Sequence, residues 1–192
     1  MHDTTFVSLL NSQAALDRCI TGVGFEGGIA APTYQRRFND ISVRIVPAAE
    51  GRYQSILGEQ AQVSHVGFVL GDCGMSSAHP DEVPVSAGDV LVWKVETTHL
   101  TADVEAGAAE VPVYDPTVFE AGWLVELGEG AVREQATVEE TSGESIILAA
   151  ALEGAHIKGE PAILVRRFEV LHVRFWPGLE HHLELALQEI EL

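Results

Sequence analysis

Phe168-Glu169-Val170-Leu171-His172-Val173-Arg174-Phe175-Trp176 decides the fold class. Leu171, Val173 and Phe175 alternate with His172 and Arg174. That period of two puts an apolar set on one face of a strand and gives a helix no continuous stripe. Outward from it the same pattern recurs. Val90-Leu91-Val92-Trp93-Lys94-Val95 alternates with both faces largely apolar, and Ile41-Ser42-Val43-Arg44-Ile45 alternates cleanly. Residues 63–70 place Val66, Phe68 and Leu70 opposite Val63, His65 and Val69. Residues 182–192 read as a strand through Leu183, Leu185 and Leu187 rather than a helix using Leu183, Leu187 and Ile190. Residues 5–14 are the one stretch read as a short helix. Gly, Pro and Asp clusters separate the blocks, which predicts a mainly β chain: a small β-barrel or sandwich of short antiparallel strands.

Composition shifts inside the chain. Residues 97–164 hold 13 acidic and 2 basic side chains, whereas the remaining 124 residues hold 16 and 9. The stretch has its own strands, at 110–114, 123–127, 135–139, 145–150 and one starting at Ala162. Turns at Asp115-Pro116, Gly128-Glu129-Gly130, Ser142-Gly143 and Lys158-Gly159 divide them. The predicted organisation is a first domain of residues 1–96 plus 165–192 with a second small β domain, residues 97–164, inserted. Hairpin tips tolerate such insertions.

The whole chain carries 29 acidic and 11 basic residues, net −18 with His neutral, while 46% of it is apolar. The apolar share excludes a disordered chain. The charge argues against gripping nucleic acid by its phosphates. No stretch approaches the ~18 uninterrupted apolar residues of a membrane helix. The opening MHDTTFVSLL has no Lys or Arg, so no secretory signal is expected. Cys19 and Cys73 form no disulfide framework and are read as buried thiols; sequence does not say whether they meet.

Chemistry-bearing patterns are sparse. Asp72, Cys73 and His79 share one polar loop within residues 71–84, but a single Cys with His65, His99, His156 and His172 scattered lacks a paired ligand element. His181 and His182 are adjacent, so on a strand they face opposite ways. There is no Gly-x-Ser-x-Gly elbow and no phosphate-binding Lys after the glycines at 22–28. Gly22-x-Gly24-x-x-Gly27 lacks a strand-turn-helix setting. Trp93, Trp123 and Trp176 sit in strand blocks and are assigned to core or subunit-interface packing. Arg36-Arg37 and Arg166-Arg167 are basic spots on an acidic chain. They are candidate subunit contacts, with surface ion pairs as the alternative. No catalytic residue, metal or cofactor is expected.

The segments outside residues 97–164 resemble the head closure, or head–tail joining, proteins of tailed bacteriophages. The resemblance is carried by Ala15-Leu16-Asp17-Arg18, by Phe38-Asn39-Asp40-Ile41-Ser42-Val43-Arg44-Ile45 and by Gln62-Val63-Ser64-His65-Val66-Gly67-Phe68. It continues through Ser86-Ala87-Gly88-Asp89-Val90-Leu91-Val92-Trp93, Phe168-Glu169-Val170-Leu171-His172-Val173 and His181-His182-Leu183-Glu184-Leu185. The insert is similar to a β module that recurs in phage virion proteins: Leu100-Thr101-Ala102-Asp103-Val104, Ala106-Gly107, Phe119-x-x-Gly122, Val125-x-Leu127, Thr137-Val138 and His156-x-x-Gly159.

The resemblance implies a non-enzymatic virion protein of the neck, made in the host cytoplasm. It implies a homo-oligomeric ring, hexamer or dodecamer. Portal or adaptor proteins would sit on one side and a tail terminator or tail tube on the other. Double-stranded DNA would pass through without sequence-specific binding, and no membrane is involved. Exposed strand edges would be covered by ring neighbours. In the resembled family a loop projects into the channel and helps retain DNA. Here that candidate is residues 47–61, with Glu50, Arg52, Tyr53, Ile56 and Leu57 as its charged and apolar groups. A tail terminator or tail completion protein is the near alternative. A decoration or carbohydrate-binding module and a metal-dependent hydrolase built on Asp72 and His79 are the more distant ones.

Overall fold

A computed structural model describes residues 10–20, 33–49, 62–70, 85–176 and 182–190. The chain is mainly β, its strands pair antiparallel, and no α-helix occurs among the described residues. Ten strands follow in order: β1 (Ser12–Ile20), β2 (Thr33–Pro47), β3 (His65–Leu70), β4 (Val90–His99), β5 (Glu110–Pro112), β6 (Leu124–Leu127), β7 (Glu134–Ser142), β8 (Ser145–Leu148), β9 (Pro161–Trp176) and β10 (His182–Ile190). The contacts divide the chain into Met1–Trp93 with Arg167–Glu191, and Lys94–Arg166. The charge shift had suggested borders at 96/97 and 164/165; the division falls within β4 and β9.

In the first unit the pairings run β4-β1-β2-β3-β10-β9, and β9 pairs back to β4. That return is made where Gly88 N–H donates to the Val170 carbonyl and Val170 N–H to the Asp89 carbonyl, both at 2.8 Å. The six strands therefore close on themselves in a barrel-like cycle. Closure satisfies the backbone groups along those six strands within the chain. Register explains the core. Val43 lies opposite Val69, Val69 opposite Leu183, and Leu185 opposite Val173, so odd positions of β10 point inward with them. Phe168, Leu16, Leu91, Leu185 and Leu187 are fully buried there. Each contributes about 2 kcal/mol on leaving water.

Irregularities bend the strands where closure demands it. β1 shifts register around Leu16 and β10 shifts between Ala186 and Leu187. Such bulges increase local twist. Gly67 of β3 is buried, and a Cβ there would meet Leu187 Cδ1 at 3.0 Å; the leucines of β10 occupy the space a side chain would take. The short helix expected over 5–14 does not extend into its described end, since Ser12 to Ala14 are already strand, with Ala14 buried against Ile41 in register. Tertiary pairing there outweighs the helix preference of Ala and Gln.

The second unit has its own pairing order, β9-β6-β7-β8-β5. Leu100 completes it with a bridge to Val113 and bonds to Glu160 and Gly159. A separate core of Leu100, Val111, Phe119, Leu127, Ile146 and Leu148 fills it. The strand expected at 162 and the one expected at 168 are a single strand, β9, of 16 residues.

Candidate functional site

The strongest sequence motifs of the first unit turn out to be pins that hold strands together. Ser64 Oγ accepts from Glu189 N–H at 2.8 Å and donates to the Leu187 carbonyl at 3.3 Å, which anchors β10 at its register shift. His65 turns its Nδ1 to Ser64 Oγ at 3.0 Å and packs T-shaped with buried Phe168, ring centroids 4.9 Å apart. In the Ser86-Ala87-Gly88-Asp89 turn, Asp89 is buried. Its Oδ2 accepts Ser86 N–H at 2.8 Å, and its Oδ1 faces both Cys19 N–H and Arg18 Nε at 3.3 Å. One carboxylate thus closes the turn and holds β1 beside it.

The arginine pairs do not form two basic spots. Neighbours on a strand point to opposite faces, so Arg36 and Arg37 separate on β2 and Arg166 and Arg167 on β9. Arg36 lies opposite Asp17 and pairs with its carboxylate, both side chains being mostly buried. Its charge has an intrachain partner that sequence spacing could not reveal. Arg37 lies over the Phe38 ring at 5.6 Å. Arg167 sits near Tyr34. Burial, Cys19 and Glu169 push the Tyr34 hydroxyl above its ordinary range, and Arg167 opposes them.

An exposed aromatic face lies where β9 meets β10. His182 is opposite both Trp176 and Leu70, and Glu184 is opposite both Arg174 and Phe68. Arg174 lies 4.0 Å from the Trp176 ring centre, and Trp176 stacks on His182 at 6.3 Å and 18°. Phe175, at 53% exposed, extends from the other face of β9. A cation held on an indole beside an imidazole suits a protein contact, with aromatic and Arg side chains as anchors. Strand alternation assigns Trp176 to packing and does not show its partners.

The channel-loop residues Glu50, Arg52, Tyr53, Ile56 and Leu57 lie outside the described residues, as do Asp72, Cys73, His79, His181 and the glycines at 22–28. Cys19 is a free thiol. Among the described residues no three His, Cys, Asp or Glu side chains come together as metal ligands. In the second unit Trp123 is 40% exposed, and buried Glu126 is held by Gln135 at 2.8 Å and Arg133 at 3.7 Å. No protein-family model matches the chain, and no curated protein matches it significantly.

Proposed function

We propose that this chain is a structural protein of a phage neck, a head closure or head–tail connector subunit. In that role it assembles as a hexameric or dodecameric ring between portal or adaptor proteins and the tail. It retains packaged DNA and offers the tail its docking surface in the virion. The observation that carries the reading is architectural. A small β-barrel-like unit, pinned at Ser64-His65 and Gly88-Asp89, has a separately cored β module inserted between two of its hydrogen-bonded strands, β4 and β9. Both parts carry the motifs of the resembled phage proteins. The acidic charge supports it too, since a channel of like charge lets DNA pass without holding it.

The test is to add the purified chain to tailless, DNA-filled heads and measure nuclease-resistant DNA, with electron microscopy of the chain alone. Rings of six or twelve and increased DNA retention are expected. A chain that binds tail tubes and not heads is a tail terminator instead. A monomer that neither binds heads nor protects DNA overturns the neck reading. Exposed Trp123 favours a second reading, a glycan-binding decoration module. Glycan binding lost in Trp123→Ala would establish it.

A further inference from the structure

Val43, Val69 and Leu183 lie opposite one another across β2, β3 and β10 and belong to the core of the first unit. Their neighbours one position along each strand face the other way. Those neighbours are Arg44, Phe68 and Glu184, and β9 extends the row with Arg174, opposite Glu184. Arg44 and Arg174 therefore stand at the two ends of a row that crosses four strands. Both are exposed, and among the described residues neither is held in an ion pair. Glu184, the row's one carboxylate, is 5% exposed. Phe68 tilts against His182 with ring centroids 6.4 Å apart, and His182 stacks on the Trp176 ring that carries the Arg174 guanidinium. The result is an aromatic strip with an exposed cation at each end.

The spacing of the cations selects what lies on them. Neighbouring strands are about 4.8 Å apart, so three steps put Arg44 and Arg174 about 14 Å from each other. An extended peptide rises about 3.4 Å per residue, and every second side chain points to the same face. Acidic side chains four residues apart therefore span the same distance and face the same way, and the side chain midway between them falls on the aromatic strip. A guanidinium resting on an indole is held in place and keeps its edge N–H groups for an acceptor. We propose that this face docks an extended acidic segment of a partner protein, with carboxylates four residues apart on Arg44 and Arg174 and an apolar side chain between them against Phe68. A nucleic-acid backbone suits it less, because two guanidiniums do not offset the chain's net −18. The inference does not depend on the neck reading.

The test is fluorescence anisotropy of a labelled peptide, Gly-Glu-Ser-Leu-Ser-Glu-Gly, titrated with the full chain. Binding is expected, and is expected to weaken between about 0.01 M and about 0.15 M salt. Arg44→Gln and Arg174→Gln should each weaken it about five-fold, the upper range for an exposed ion pair, and the double variant about twenty-five-fold, since the two sites are too far apart to couple. Trp176→Ala, which keeps both cations and removes the ring under Arg174, should also weaken it. All four variants change exposed side chains, and far-ultraviolet circular dichroism checks that they fold. No binding, equal binding of the peptide with Gln in place of both Glu, or unchanged binding by the arginine variants overturns the proposal. So does a DNA duplex that displaces the peptide, which assigns the face to phosphates, or dimers in sedimentation that Arg174→Gln dissolves, which assign it to a second copy of this chain.

Discussion

Asp89 is the residue on which most of the first unit's local order converges. It is 1% exposed, and its carboxylate serves Ser86, Cys19 and Arg18 at once. Truncating it removes the acceptor of two backbone N–H groups and the carboxylate that faces Arg18. Unpaired buried donors of that kind cost about 1–3 kcal/mol each. Asp89→Ala is therefore expected to destabilise the first unit by about 3 kcal/mol in urea unfolding. Asp89→Asn keeps the acceptor toward Ser86 and should lose less. Equal losses would mean that the charge carries the whole effect and that shape and a neutral acceptor contribute nothing. Tyr34 gives a pH-dependent signature on the same unit. Burial, the Cys19 thiol and Glu169 raise its hydroxyl above the ordinary 10.0. An acid whose folded value is raised adds stability that is present below the unfolded value and is lost as pH climbs through the folded one. Ultraviolet titration should show one tyrosine ionising late, absent in Tyr34→Phe, with the variant less sensitive to alkaline unfolding. A tyrosine spectrum identical in the two proteins would contradict this.

At the scale of the element, what the sequence reveals and what it hides follow from how far pattern extends. Period-two alternation located β3, β4 and β10, because one residue in two is buried by a core neighbour. It missed that residues 161–176 are one strand. Arg166 and Arg167 interrupt the apolar run, and continuity there is set by backbone pairing to β4 and β6, which side-chain pattern does not encode. It also missed that Arg36 pairs with Asp17, 19 residues away and opposite it in register, and that His156 comes near Glu134, 22 residues away. What a strand contributes can be weighed for β10. It pairs with both β3 and β9 and buries Leu183, Leu185 and Leu187. At about 2 kcal/mol each, those three leucines alone contribute roughly 6 kcal/mol, a large part of the 5–15 kcal/mol a domain typically has. Removing β10 also exposes two long edges. A chain ending at Trp176 is expected to lose the cooperative unfolding of its first unit and to aggregate in sedimentation, while amides of β6 and β7 stay protected. A soluble truncated protein with an intact first-unit transition would show that closure is dispensable.

For the whole molecule the charge distribution is the property that bears on assembly. Residues 97–164 carry a net −11 of the chain's −18. The second unit has its own core and its own pairing order. Replacing residues 97–164 by a short Gly/Ser linker should therefore leave the remaining 124 residues folded, because closure entropy changes slowly with loop length. Assembly responds differently. Identical subunits of net −18 brought together in a ring repel one another, and the closed pairing of the first unit removes strand-edge capture as a compensating attraction. Screening reaches about 30 Å at 0.01 M salt and about 8 Å at 0.15 M. Ring formation is thus expected to strengthen with salt in the full chain. The deletion protein, at net −7, should assemble at lower salt and depend on it less. Sedimentation velocity of both proteins at the two ionic strengths measures this directly. Assembly that weakens with salt would instead point to attractive ion pairs across the contact, with Arg37 on β2 the first residue to substitute. A full chain monomeric at both salts, alone and with heads, would remove the ring from the proposal altogether.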